Sequence, residues 1–184
     1  RTIDDLRISL TDRCNFRCVY CMPAEGLPWL PKREILTYEE ILHLARIFIG
    51  LGIRTVRLTG GEPLMRQDID VLIAGLIRLE PGLDLSMTTN GVLLGRMARP
   101  LAEAGLQRVN VSLDTLDADK FHRLTRWGTL EDVWAGILAA EEAGADALVI
   151  AAPPRGTAPG APAGPLTPAP SARRCASSPR RCRA

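Results

Sequence analysis

The chain has 184 residues, and 46% of them are hydrophobic, so it can bury one substantial core but not two. Its formal net charge of +2 arises late in the chain, because all 21 acidic residues precede position 151. The earlier part is therefore mildly acidic, which argues against a nucleic-acid partner. No apolar run approaches the roughly 20 residues that span a bilayer, so we expect a cytoplasmic protein without a membrane partner.

Short apolar segments alternate with amphipathic ones before position 151, as in successive βα units on a parallel sheet. Strands are predicted over residues 6–10, 55–59, 83–88, 108–113 and 147–151. Four to five such units make only part of a barrel, since a closed eightfold barrel takes about 250 residues. The predicted fold class is α/β, a partial (βα) barrel with a parallel sheet, over residues 1–150.

The first helix has a clear predicted start. Thr37 and Glu40 form a capping-box pattern, in which each side chain bonds the other residue's backbone N–H. The apolar face of this helix is predicted to use Ile41, Leu44, Ala45 and Phe48.

Later helices are also marked by polar residues and by proline. Asp68 and Thr129 are predicted to cap two helix starts. Pro100 is predicted to begin a short helix that Gly105 ends, because proline is favoured in a first helical turn.

Polar or glycine-rich segments follow four of the predicted strands, at residues 12–14, 60–63, 88–91 and 112–114. The carboxyl ends of parallel strands lie on the same face of an α/β fold, and that face carries the chemistry. We therefore expect the four segments to converge on one site.

Three cysteines, Cys14, Cys18 and Cys21, follow the first predicted strand with spacing C-x-x-x-C-x-x-C. Thiolates are the ligands of iron–sulfur clusters, and three of them leave one iron of a cubane open to a further ligand. A structural zinc site is the alternative, but it usually needs a fourth ligand, and the remaining Cys175 and Cys182 lie far along the chain. A disulfide explains a close-set trio poorly.

The cysteine spacing, with Tyr20 at the aromatic position before the last cysteine, resembles the defining motif of the radical S-adenosylmethionine (radical SAM) superfamily. Residues 60–63, Gly-Gly-Glu-Pro, resemble the glycine-rich element of that superfamily. Within it, the chain resembles the GTP 3′,8-cyclase family of molybdenum cofactor biosynthesis. The matching blocks are residues 5–18, 57–66, 88–91 and 110–114, and the resemblance extends over about residues 3–146.

This resemblance implies a [4Fe-4S] cluster held by the three cysteines, with S-adenosylmethionine bound at its open iron. An electron from the cluster would cleave the cofactor to a 5′-deoxyadenosyl radical, which takes hydrogen from C3′ of GTP before that carbon attacks C8. On the matching positions, the residues implied to contact GTP are Arg7, Arg57 and Thr88, and those implied to contact the cofactor are Tyr20, Gly61 and Ser112. A reducing electron donor is a further implied partner, and a homodimer is an open option.

Two other residue types have less definite roles. Asp114 either orients the cofactor ribose or caps a helix. His43 and His122 lack a neighbouring ligand, so we expect neither to bind metal.

The resemblance ends after Ala145, and the family's later features are missing, among them a second cysteine trio, so no second cluster is expected. Residues 151–184 are rich in Pro, Ala and Arg, which predicts disorder and is the composition of a GC-rich gene read out of frame. We interpret them as a candidate frameshift product that replaces the C-terminal half. The open alternatives are a noncatalytic remnant that only binds a cluster, and another radical SAM enzyme.

Overall fold

The computed structural model describes residues 3–150 and contains five strands and five α-helices within them. The strands are β1 (Asp5–Ser9), β2 (Thr55–Thr59), β3 (Asp84–Thr89), β4 (Arg108–Ser112) and β5 (Asp146–Ile150). The helices are α1 (Tyr38–Gly50), α2 (Ile69–Leu79), α3 (Leu94–Glu103), α4 (Ala118–Thr125) and α5 (Leu130–Glu142). Short 3-10 turns occur at Lys32–Glu34 and Pro63–Met65. The predicted tail and its two cysteines lie outside the described residues.

All five strands are parallel, and their order in the sheet is their order in the chain, β1-β2-β3-β4-β5. Such an order is the progression of an α/β barrel, here open between β1 and β5. The five predicted strands match the observed ones to within one residue at each end. The predicted fold class is therefore confirmed.

The two faces of the sheet differ sharply in chemistry. One face is apolar and packs against the helices, with six side chains that are at most 1% exposed: Val56, Leu58, Leu85, Met87, Val109 and Val111. The alternate residues form a polar face, which includes Arg7, Arg57, Ser86, Thr88 and Asn110. Parallel strands covered on both sides are usually apolar throughout. The alternation therefore marks the polar face as the one available for function.

The predicted helix starts are largely confirmed. The capping box of Thr37 and Glu40 is present at α1, and Thr129 accepts a hydrogen bond from the Asp132 N–H at the start of α5. Asp68 precedes α2 as predicted, but it has a left-handed backbone with φ of 53° and its side chain makes no capping bond.

The prediction for Pro100 is wrong. Pro100 lies inside α3, which begins six residues earlier at Leu94. The buried side chains of Leu94, Ala98 and Leu101 share one helix face, and their packing outweighs the single backbone bond that proline removes.

The apolar face predicted for α1 is only half correct. Ile41 and Ala45 are buried, whereas Leu44 and Phe48 are 40% and 38% exposed. These two residues lie beside β1, which is an edge strand of the described sheet, so no further element of the described sheet covers them there.

No helix within residues 3–150 is long and apolar enough to cross a membrane.

Helix α5 crosses the loop after β3 at very short range. A Cβ atom on Gly136 would overlap the carbonyl oxygen of Gly91, so only glycine fits there. Gly95 in α3 is the opposite case, because a Cβ atom there would have no neighbour within 4 Å.

Gly136→Ala should lower the free energy of unfolding by about 1–3 kcal/mol, since α5 must move away from the β3 loop. Gly95→Ala is the matched control and should be neutral or stabilising by up to about 1 kcal/mol. Urea denaturation of both variants checks this. Equal stability of the two variants would contradict the observed packing.

Candidate cluster and cofactor site

The three predicted cysteine ligands lie in one loop, residues 10–22, here called the cysteine loop. Cys14 and Cys18 are half-buried, Cys21 is exposed, and all three are free thiols. The Cys21 and Met22 N–H groups donate to the Cys18 carbonyl oxygen at 2.9 and 3.0 Å, and the Phe16 N–H points at the Cys14 sulfur at 3.4 Å. Backbone bonds therefore contribute to the shape of the loop.

The cysteine loop packs backbone to backbone against the Gly-Gly turn that follows β2. The Gly61 N–H donates to the Thr11 carbonyl oxygen and the Glu62 N–H to the Arg13 carbonyl oxygen, both at 2.7 Å. A Cβ atom on Gly61 would overlap the Arg13 carbonyl group. Glycine is thus required here by the fold itself.

This packing limits what Gly61 can offer to a ligand. Its N–H is already used by Thr11, whereas no donor within residues 3–150 reaches its carbonyl oxygen. Any contact of Gly61 with the cofactor's amino group must therefore use that carbonyl oxygen, which can accept a hydrogen bond from an ammonium donor.

Glu62 is the buried polar centre of the site, with 1% exposure. Its carboxylate accepts hydrogen bonds from the Leu64 N–H at 3.0 Å, the Thr89 hydroxyl at 2.7 Å and the Asn90 N–H at 2.8 Å. Burial raises the pKa of Glu62, although these three bonds act in the opposite direction. The Glu62 carboxylate therefore connects the turn after β2 to the end of β3 and the loop that follows it by hydrogen bonds.

A second bond joins the cysteine loop to the loop after β3. The Asn90 side-chain amide donates to the Asn15 side-chain oxygen at 2.7 Å, and Asn90 in turn accepts from the Val92 N–H. Three of the four segments predicted to converge are thereby hydrogen-bonded to one another.

Tyr20 connects the cysteine loop to the fourth segment. Its hydroxyl donates to Asp114 at 2.5 Å, and the partial burial of the side chain together with this bond raises the tyrosine pKa, so the hydroxyl stays protonated. Asp114 does not cap a helix, because Asp117 caps α4. The ribose-orienting alternative for Asp114 is untested, and the neighbouring Ser112 is exposed.

Arg7 and Arg57 lie directly opposite each other in the register of β1 and β2. Arg7 donates to the Thr59 hydroxyl at 3.3 Å, while Nε of Arg57 is buried without a partner. Neither arginine belongs to an ion pair within the described part of the chain. Like charges opposite each other repel, so this pair favours an anionic ligand.

Thr88 lies on the same polar face as the two arginines and is half-buried. Its register partner is Asn110 of β4, which is 5% exposed. The structure therefore places all three predicted GTP residues on one face. The predicted cofactor residues lie at its carboxyl edge, Tyr20 and Gly61 in loops and Ser112 at the end of β4.

The three thiols have the chemistry that an iron–sulfur cluster requires, since thiolates are its usual protein ligands. Within residues 3–150, no three His, Cys, Asp or Glu side chains are placed to hold one metal ion, so the zinc alternative gains no support. In a cluster each thiolate can bind a different iron, which suits three cysteines spread over one loop. Burial raises the pKa of the Cys14 and Cys18 thiols, the latter to about 11, so iron must displace their protons.

Sequence reasoning missed the roles of Glu62, Asn15, Thr89 and Asn90. Glu62, Thr89 and Asn90 stood inside segments that were recognised, but the bonds they make run between the ends of different strands. Their placement at or directly after strand ends was the available signal, and it does not reveal which side chains bond.

Comparison with known proteins gives the family. A model of the radical SAM superfamily matches residues 8–154. The chain belongs to this superfamily. Membership implies a [4Fe-4S] cluster and S-adenosylmethionine, and the cysteine loop carries the thiols that such a cluster requires.

Curated relatives show a more specific similarity within this superfamily. A GTP 3′,8-cyclase of Thermodesulfovibrio yellowstonii is 56% identical over 145 residues, covering 78% of this chain and 45% of the relative. A GTP 3′,8-cyclase of Pseudomonas putida is 57% identical over 145 residues, with 78% and 43% covered. The chain therefore spans less than half the length of these relatives. The predicted resemblance to the cyclase family is confirmed over the shared part.

Solved structures agree on the fold. Streptococcus suis SuiB bound to its precursor peptide SuiA has a TM-score of 0.65 at 22% identity, covering 80% of this chain and 32% of SuiB. Methylornithine synthase has a TM-score of 0.59 at 18% identity, with 79% and 43% covered. At these identities the likeness establishes a shared fold.

The raised pKa of Glu62 sets the sign of a pH effect. The folded chain binds this proton more tightly than the unfolded chain, so the contribution of Glu62 to stability is largest at acid pH and falls as pH rises from about 4.5 through the raised pKa. Glu62→Gln cannot titrate and should lose this slope. It should also be less stable by about 1–3 kcal/mol at acid pH, because its amide nitrogen opposes an N–H donor.

Urea midpoints of the metal-free chain between pH 4 and pH 8 provide the measurement. Glu103→Gln is the matched control, since Glu103 is exposed at the end of α3, and it should keep the parent slope. An unchanged slope in Glu62→Gln would show that another group titrates.

Proposed function

We propose that this chain provides the cluster, cofactor and GTP-binding residues of a GTP 3′,8-cyclase. Support comes from the identity of about 56% to curated cyclases and from the chemistry of the polar face. The observation that carries the substrate assignment is the adjacent pair Arg7 and Arg57, which has no acidic partner within residues 3–150.

The two arginines are suited to a triphosphate. Each guanidinium carries a fixed charge and presents forked donors that match phosphate oxygens. Because they extend from neighbouring strands, they can hold two parts of one polyanion, while Thr88 offers a hydroxyl further toward the carboxyl edge. Binding would also relieve the repulsion between the two cations.

The cofactor is assigned to the loops beside this face. Cys14, Cys18 and Cys21 would hold the cluster, and Tyr20, Gly61 and Ser112 are proposed to contact S-adenosylmethionine. When bound, the cluster and cofactor supply the 5′-deoxyadenosyl radical that removes hydrogen from C3′ of GTP before that carbon bonds to C8. The chain's own part is to hold the ribose of GTP near the cofactor and to neutralise the triphosphate.

We further propose a cytoplasmic location and a separate reducing protein as electron donor. A cluster in the cysteine loop would lie at the surface, because Cys21 and Tyr20 are exposed. A homodimer is compatible with this assignment, and its formation can be measured by light scattering.

The deciding experiment is anaerobic reconstitution with iron and sulfide, followed by reductant, S-adenosylmethionine and GTP. We expect 5′-deoxyadenosine and the cyclised nucleotide to form together. Deoxyadenosine alone would indicate a radical generator without a working GTP site, as another radical SAM enzyme would show. A bound cluster with neither product would support the noncatalytic remnant.

Arg7→Gln and Arg57→Gln should each weaken GTP binding to the metal-free chain by about 10- to 100-fold, the usual effect of losing a hydrogen bond to a charged group. Isothermal titration with GTP and with guanosine checks this, and the loss should be far smaller for guanosine. Arg46→Gln, on the exposed side of α1, is the control of equal charge change. Equal losses for both ligands would refute the triphosphate assignment.

A further inference from the structure

Arg17 lies inside the cysteine loop, immediately before the second cysteine, and its side chain folds back onto that loop. One guanidinium nitrogen donates to the carbonyl oxygens of Cys14 and Phe16, both at 2.8 Å. The side chain of Arg17 thus bonds the backbone of Cys14, while the backbone of Arg17 directly precedes Cys18. The Arg17 side chain therefore bridges the backbone between these two cysteines.

The flat guanidinium lies between two tryptophans from other parts of the chain. Its central carbon is 4.3 Å from the ring centre of Trp127 and 5.3 Å from that of Trp29. Gly26 completes the enclosure, since a Cβ atom there would lie 3.4 Å from Nε of Arg17. Cation–π contacts of this kind become stronger as water is excluded from them.

Backbone bonds hold the same segment against the end of α4. The Arg17 N–H donates to the Thr125 carbonyl oxygen at 3.0 Å, and the Val19 N–H to that of Leu124 at 2.9 Å. Arg126 then donates to the carbonyl oxygens of Arg17 and Met22 at 3.0 and 3.2 Å. The cysteine loop is therefore fastened to the segment that carries Trp127.

Arg126 takes an unusual backbone conformation to do this. Its φ is 62°, the left-handed region that non-glycine residues seldom adopt. Gly128 follows with φ of 84°, and a Cβ atom there would overlap the ring of Phe16. The turn between α4 and α5 is thus built to fit the cysteine loop.

No acidic side chain pairs with Arg17 among residues 3–150, and its Nε is buried without a partner. An ordinary surface ion pair therefore does not explain this residue. A planar guanidinium that stacks on indole while one of its nitrogens bonds two carbonyl oxygens does explain it, and lysine lacks a planar group for the stacking.

We propose that Arg17, stacked on Trp127, is a positioning residue that holds Cys14 and Cys18 at the spacing a [4Fe-4S] cluster requires. This inference rests on the proposed ligation by the three cysteines. It predicts that the cluster is lost more easily when the guanidinium of Arg17 or the indole ring of Trp127 is removed, even though neither group is proposed as an iron ligand.

The test compares four variants of the 184-residue chain: Arg17→Lys, Arg17→Gln, Trp127→Phe and Trp127→Leu. Each is reconstituted anaerobically, and the rate of iron loss to a chelator is followed by absorbance, with the electron paramagnetic resonance spectrum of the reduced cluster. Both Arg17 variants should lose iron at least tenfold faster than the parent and give an altered spectrum. Trp127→Phe keeps an aromatic face and should lose iron at a rate within about threefold of the parent. Trp127→Leu has no such face and should lose iron more than threefold faster than the parent.

Melting midpoints of the metal-free chains separate positioning from stability. Variants that melt within a few degrees of the parent yet lose iron quickly support the inference, and Arg46→Gln should match the parent in both measurements. Iron loss that simply follows the melting midpoint would overturn it, as would parent-like rates in both Arg17 variants. If Arg17→Gln does not fold, Arg17→Lys and the Trp127 pair decide.

The parent chain itself tests the underlying ligation. A parent that takes up no iron would overturn both the ligation and this inference. A parent that holds iron, together with unaffected variants, overturns the inference alone.

Discussion

The close contact between the Gly-Gly turn and the cysteine loop is the constraint on which the site depends. Two backbone bonds of 2.7 Å cross from Gly61 and Glu62 to the carbonyl oxygens of Thr11 and Arg13, at a distance that no side chain on Gly61 would permit. This contact brings Glu62 beneath the cysteine loop, where its carboxylate can accept the N–H of Asn90. Three loops after three strands thereby become one rigid unit.

The polar face of the sheet follows from the same parallel arrangement. The side chains that alternate with the buried apolar ones on β1 to β4 lie on the opposite face of the sheet, where Arg7 is exposed. Charged groups can therefore remain hydrated there while their neighbours in the strand are fully buried. Arg7 is exposed and Arg57 is partly exposed, so solvent can screen the repulsion between their charges.

Local sequence signals were enough to predict much of the fold, but they did not reveal the contacts between residues that are far apart in the chain. The capping box at Thr37 and the five strands depend on neighbouring residues, so sequence patterns located them. Pro100 was misjudged because tertiary packing of α3 outweighed a local preference. Gly61 was recognised as part of a glycine-rich element, but the sequence did not show that the close approach of the cysteine loop requires glycine at this position. The stacking of Arg17 on Trp127 joins residues far apart in the chain, and no periodicity reports such a contact.

The bonds that shape the cysteine loop run between backbone groups and side chains other than the thiols, apart from the N–H of Phe16 that faces Cys14. Metal sites that assemble from an unfolded segment bury new surface as they load, so binding is coupled to folding. Here the bonds that shape the loop, apart from the one to the Cys14 sulfur, leave the thiols uninvolved. A cluster can therefore take up the three thiolates without competing with the backbone bonds that hold the loop to its neighbours.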